Sequence, residues 1–219
     1  MLIVLIAAVV PPVLVVNGFR VLSTEAFVRF ELGRIPPDLY GFTDDQREAL
    51  ALTGLRSIRP GSQGIVLLER ATLPDGSPAF DERERTHMRD VRRLLGAALR
   101  LQLIVLVAVA VFAVALAPTR LRTVVPTGLL AGALATLGVA VLAVPVILLG
   151  FDDFFTRFHE VFFAGDSWRF STADTLIRLY PEQFWVDVSR LAAAIAVGQA
   201  IVLASLAWWW RRAAGRRSS

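Results

Sequence analysis

The stretch FDDFFTRFHEVFFAGDSWRFSTADTLIRLYPEQFWVD, residues Phe151 to Asp187, lies between two long apolar segments, and the reading of the whole chain turns on it. At helical spacing Phe151, Phe154, Phe155, Phe158 and Phe162 fall at i, i+3, i+4, i+7 and i+11, which stacks their rings into one narrow stripe. At about 100° per residue, His159 stands roughly 80° from the centre of that stripe, beside Asp152, with Asp153 and Glu160 on the opposite face. A helix of this kind lies in a membrane interface, its rings among acyl chains and its carboxylates in water. The imidazole is then held at about the depth of lipid ester linkages.

Outward from this stretch the hydrophobicity comes in blocks. Residues 1–22, 101–117, 124–150 and 191–210, as approximate bounds, are each long enough to cross a bilayer, the second only just. With 55% hydrophobic residues in 219, the chain is too apolar for a soluble domain of its size. The expectation is an all-α membrane protein: four transmembrane helices in a single polytopic domain over 1–219, with outer segments 23–98 and 151–190. The first segment lacks a basic leader and a small-x-small site before Asn17, so it reads as an uncleaved helix, kinked at Pro11-Pro12.

Charge orients these spans. All 23 basic residues are arginine. The short link 118–123 holds Arg120 and Arg122, and the tail holds Arg211, Arg212, Arg216 and Arg217, with no carboxylate in either. The 19 acidic residues all lie in the two outer segments, so the positive-inside rule puts both termini in the cytoplasm and both large segments outside. The isoelectric point near 10.8 therefore reports topology, and nucleic acid is not an expected partner. The absence of cysteine excludes disulfides, thiolate metal sites and thioester intermediates.

Inside the spans, Gln102 and Gln199 are the long polar side chains and no ionisable group falls in the interior of spans two to four, which argues against a transporter or channel. Gly128, Gly132, Thr136 and Ala140 repeat at four-residue spacing, a stripe suited to close helix contact. Packing within one bundle is favoured over a contact between copies, so a monomer is expected.

In the first outer segment, Thr43 and Gln46 form a capping box opening a helix to about Ser57. Ile65 to Leu68 followed by Pro74-Asp75-Gly76 predicts a short β element and a turn. Asp81, with Glu84 three residues on, caps a helix that continues unbroken into the second span. On it Glu84, His87 and Val91 share a face, with Asp90 about 60° aside, so a carboxylate is placed to orient the imidazole.

His87 and His159 are the chain's two histidines, and each belongs to a helix next to a span on the same side of the membrane. A zinc protease would need a second histidine where Phe163 stands after His159-Glu160, and Gly165-Asp166-Ser167-Trp168 does not fit a nucleophile elbow. A metal site from His87, His159 and Glu84 or Asp152 is open, though the spacing does not require it. Acid/base catalysis without metal or cofactor is the simplest use of the pair, because imidazole titrates near neutrality.

Glu84-Arg-Thr-His87-Met88-Arg-Asp90-Val91, then Phe158-His159-Glu160-Val-Phe162-Phe163-Ala-Gly-Asp166-Ser167-Trp168, then Asp174-Thr-Leu176-Ile177-Arg-Leu-Tyr-Pro181-Glu-Gln-Phe184-Trp185, resembles the bacterial integral membrane family that contains the lipoprotein intramolecular transacylase. The similarity covers both outer segments, Ser23 to Ala79 only in outline. The resemblance implies a multi-pass protein of the bacterial cytoplasmic membrane, active on its outer face. It also implies a diacylglyceryl-modified lipoprotein as substrate, whose sn-2 acyl chain moves to the α-amine of the N-terminal cysteine. His159 becomes base or acyl acceptor and His87 its partner, with the reverse assignment nearly as good. Glu84, Asp90 and Asp152 support them, and Asp166 and Trp168 fix the turn after the aromatic helix. Phe155, Phe158, Phe162 and Phe163 face lipid or substrate, and Arg85 and Arg89 meet lipid phosphate or hold their helix at the headgroups. Asp174 is expected to cap the helix that leads to Tyr180.

Overall fold

The computed structural model describes residues 1–216, so Arg217 of the basic tail lies outside the described residues. Among the described residues nine helices run in order: α1 Leu2–Leu22, α2 Glu25–Leu32, α3 Asp44–Ile58, α4 Val66–Glu69, α5 Glu82–Leu116, α6 Val124–Leu149, α7 Phe151–Phe162, α8 Thr175–Leu179 and α9 Glu182–Arg216. No strand is found among the described residues. Four of the helices, α1, α5, α6 and α9, are long and apolar enough to cross a membrane. The protein is an all-α, multi-pass membrane protein.

The described chain separates into two compact units. The first is built from 1–20, 99–149 and the residues from 190 on. Within it, Val10 and Leu14 of α1 are buried against Ala196 and Ala200 of α9, with Leu129, Leu137 and Leu203 packed around them. The small-residue stripe of α6 meets α1: a Cβ on Gly132 would lie 2.6 Å from Val10 Cβ and 2.8 Å from the Ala7 carbonyl oxygen, and one on Gly128 would lie 2.8 Å from Ile6 Cβ. A side chain at either position would collide with α1, so glycine is needed where α6 passes it. Helix α1 continues through both prolines. Asn17 donates to Gln199, and Gln102 Nε2 donates to Val13 O at 3.1 Å, so both long polar side chains of the spans are satisfied within the unit. Leu101, Ile104, Val114 and Leu142 point outward, as lipid-facing positions must.

The second unit holds 21–98 and 150–189. Thr43 and Gln46 make the expected capping box, Gln46 N donating to Thr43 Oγ1 at 3.3 Å and Thr43 N to Gln46 Oε1 at 3.1 Å. Helix α2, which local spacing did not reveal, is capped by Thr24 and tied to α3 by the bidentate Arg56–Glu25 pair. A β element at Ile65 to Leu68 is not found. Those residues enter a single helical turn, α4, that buries Leu68 completely, and a four-residue unbroken apolar run carries no period that separates strand from helix. The turn at Pro74 to Gly76 is present, closed by Leu73 N to Ser77 O at 2.8 Å with Gly76 at φ 83°, and it is flanked by one isolated bridge between Thr72 and Pro78.

Arginines lock the unit by their geometry. Arg178 pairs with the buried carboxylate of Asp38 and stands 3.4 Å over the Phe42 ring, while Arg47, itself buried, donates to Arg178 O and Pro36 O. Tyr180 is buried, its hydroxyl donating to Ala51 O, and burial pushes its phenol well above the ordinary range.

Candidate functional site

Helix α7 begins with Asp152 and Asp153 in its first turn, where the helix dipole favours carboxylates, and ends where Phe163 turns extended at φ −127°. Its Phe stripe brings Phe155 one turn before His159, and the His159 Nδ1 lies 2.7 Å from Phe155 O. A carbonyl only accepts, so Nδ1 carries the hydrogen and the Nε2 lone pair is left open. His87 comes from the first turns of α5, in the charged section well before the apolar part of that helix. The two imidazoles stack at 5.8 Å between centroids and 28° between planes.

Aromatic rings close around them. His159 is flanked by Phe155 at 4.1 Å, Trp168 at 5.0 Å, Phe163 at 5.3 Å and Phe158 at 5.5 Å. His87 makes T-shaped contacts with Phe163 at 4.9 Å and Phe170 at 5.5 Å. The result is an aromatic cage in which His87 is 8% exposed and His159 7%. Burial, and secondarily the neighbouring His159, pushes His87 down to about 4. Burial also lowers His159, against the opposing pull of the Phe155 carbonyl. Both rings are neutral at pH 7. Nδ1 of His87 is buried without a hydrogen-bond partner, as is Ser167 Oγ in the turn that follows α7.

The carboxylates stand elsewhere. Glu84 is buried, its oxygens accepting from Asp81 N and Leu176 N, each at 2.7 Å, while Asp81 Oδ1 accepts from Glu84 N. It therefore caps α5 and α8 together, and it fixes His87 through the helix rather than by a bond to the ring. Burial raises its carboxyl above the ordinary range against the pull of those two amides. Asp174 occupies the N-cap position of α8 without capping it, because its Oδ2 is taken by Ser171 N and Arg83. Asp90 binds Arg93 at 3.1 Å, Asp166 is exposed and pairs with Arg169 at 3.4 Å, and Asp152 is exposed. Arg85 and Arg89 both reach Glu82. Phe162 is half exposed and reaches the cage only through Phe158. Among the described residues no group of three or more histidine, cysteine or acidic side chains is arranged to hold a metal ion.

Of the residues singled out in the sequence, His87, His159, Phe155, Phe158, Phe163 and Trp168 come together. Phe170 and Arg83 were not foreseen. Their only signal is the long-range pairing of α5 with the segment after α7, which no local spacing encodes.

The profile of the family described as lipoprotein intramolecular transacylase Lit matches residues 67–185. The chain belongs to the Lit family. An uncharacterized protein of Aquifex aeolicus (strain VF5) is 30% identical over 182 residues, which is 81% of this chain and 79% of that one. The in meso structure of the membrane integral Lit of Bacillus cereus has a TM-score of 0.81 at 18% identity, over 100% of this chain and 97% of that one. A form of the same protein with a histidine replaced by alanine gives 0.74 at 20% identity, over 100% and 95%. These likenesses carry the fold. The Lit-matching residues contain both histidines and every ring of the cage.

Proposed function

We propose that this Lit-family protein is an intramolecular lipoprotein transacylase. Its substrate is a lipoprotein whose N-terminal cysteine carries a diacylglyceryl group on sulfur, and it moves the sn-2 acyl chain onto the α-amine of that same cysteine. The sn-2 ester C–O bond breaks and an amide N–C bond forms. The amine's proton ends on the glycerol oxygen, and the product is an N-acyl lyso-lipoprotein. The observation that carries this reading is the stacked, caged pair of neutral imidazoles.

An α-amine with a reference pKa near 8 must lose a proton to attack, and a departing alkoxide must gain one. His159 takes the role of base, because its Nε2 lone pair is open while Nδ1–H is held by Phe155 O. The same lone pair is the group that would accept the acyl chain if transfer passes through the ring. His87, neutral and with an unpartnered Nδ1, takes the role of partner that donates to the leaving oxygen or polarises the ester carbonyl. The phenylalanine cage suits acyl chains and excludes the water that would hydrolyse the ester. We further propose a single polytopic domain in the bacterial cytoplasmic membrane, with both termini in the cytoplasm and the histidines on the outer face.

The test is mass spectrometry of the N-terminal lipopeptide from a diacylated model lipoprotein incubated with the purified protein, His87→Ala and His159→Ala in parallel. Unchanged total mass, one acyl chain relocated to the amine, and two inactive variants are expected. Release of the chain to water, or an untouched peptide with folded protein, sinks the proposal.

A further inference from the structure

Arg83 stands one turn before His87 on α5 and reaches the segment that follows α7. Its Nη2 binds Asp174 Oδ2 at 2.7 Å, its Nη1 donates to Arg169 O at 3.1 Å, and its Cζ lies 5.3 Å over the Phe170 ring. Asp174 is in turn held by Ser171 N, so one guanidinium gathers three residues of 169–174. The Arg83 side chain is 44% exposed, so as an isolated ion pair it would contribute little. Its value is positional, because the Phe170 ring it holds makes a T-shaped contact with His87 at 5.5 Å.

We propose that Arg83 is a positioning residue for the chemistry of the histidine pair: it clasps residues 169–174 to α5 and so keeps the Phe170 ring over His87 and water away from the imidazole. The inference rests on the transacylase reading for its effect on rate, but not for its effect on the ring. His159, 5.8 Å away, is the titratable group whose field bears on His87, while Arg83 is paired with Asp174 and stands 3.9 Å from Asp81. On α5 itself, Glu84 turns its oxygens to the Asp81 and Leu176 amides. Wetting is therefore the main lever on this ring. Releasing the clasp hydrates His87, and hydration restores its charged form at mildly acidic pH.

The chain has two histidines, so the full-length protein with labelled histidine in micelles gives two sets of ring signals, assigned with His159→Gln. In Arg83→Ala the titration of His87 is expected to move up toward the ordinary imidazole range, while Arg83→Lys keeps most of the wild-type position. Phe170→Ala, which leaves the guanidinium in place, is expected to reproduce the shift and decides the matter if Arg83→Ala does not fold. The acyl-transfer rate of the variant relative to wild type then falls roughly tenfold between pH 8 and pH 5.5 if the ring recovers its usual pKa. A His87 titration unmoved in folded Arg83→Ala or Phe170→Ala overturns the proposal, even if the rate has dropped at every pH. Absence of acyl transfer by wild type would instead count against the transacylase reading, with the titration still deciding the role of Arg83.

Discussion

His87 is held neutral by the rings that hide it, and this couples its protonation to folding. Its folded value of about 4 lies below the ordinary imidazole value of 6.5, so between those pH values the unfolded chain binds more protons. Stability therefore rises with pH across that window: the contribution is complete above about 6.5 and is lost as pH falls toward 4. The shift corresponds to about 3 kcal/mol at most. Thermal unfolding in micelles between pH 7.5 and 4.5 is expected to show a steep acid loss, flattened in His87→Phe, which keeps an uncharged ring in the cage. The same slope in the variant would mean that the burden lies on other groups. His159 contributes in the same direction, so the flattening is partial.

At the level of elements, Glu84 joins two helix starts. As an anion it accepts a backbone N–H at each oxygen, whereas glutamine presents one oxygen and one NH2 group that must face an amide donor. Glu84→Gln is expected to cost about 1–3 kcal/mol and to loosen α8 before α5, read by hydrogen exchange at the Leu176 amide against that at the Asp81 amide. Equal protection of both amides in the variant would show that the bridge is dispensable. The two halves of this device differ in how far they can be read in the chain. The Asp81–Glu84 reciprocity is a three-residue spacing and is visible in the sequence. The bond from Leu176, 92 positions away, is not. The same division runs through the site: the stripe of α7 and the capping box of α3 are local patterns, and so the histidine pair could be proposed from spacing. Phe170 over His87, Arg83 across to Asp174, and the helical turn at α4 are set by tertiary packing. The β element expected at Ile65 to Leu68 failed for that reason, because burying Leu68 decides the backbone there.

For the whole molecule, the sequence segregates charge by unit. Segments 1–20, 99–149 and 190–219 contain arginine but no aspartate, glutamate or histidine, and all 19 acidic residues fall in the other unit. This asymmetry underlies the proposed orientation. An alkaline phosphatase domain fused after the last residue is expected to stay inactive, and the same domain inserted at the exposed Gly76 turn to be active; the reverse pattern would invert the topology. The lack of acidic and histidine side chains has another consequence. Arginine does not release its proton in proteins, so the spanning unit offers no side-chain relay by which a proton could pass from one face to the other. In the proposed reaction the proton taken from the amine is returned to the glycerol oxygen on the same face of the membrane, so the membrane gradient is not expected to drive it. In vesicles holding the protein and a lipoprotein substrate, collapsing the gradient with a protonophore at constant pH should leave the rate of acyl migration unchanged. On the proposed reaction the protein would work as well in a starved cell as in a respiring one.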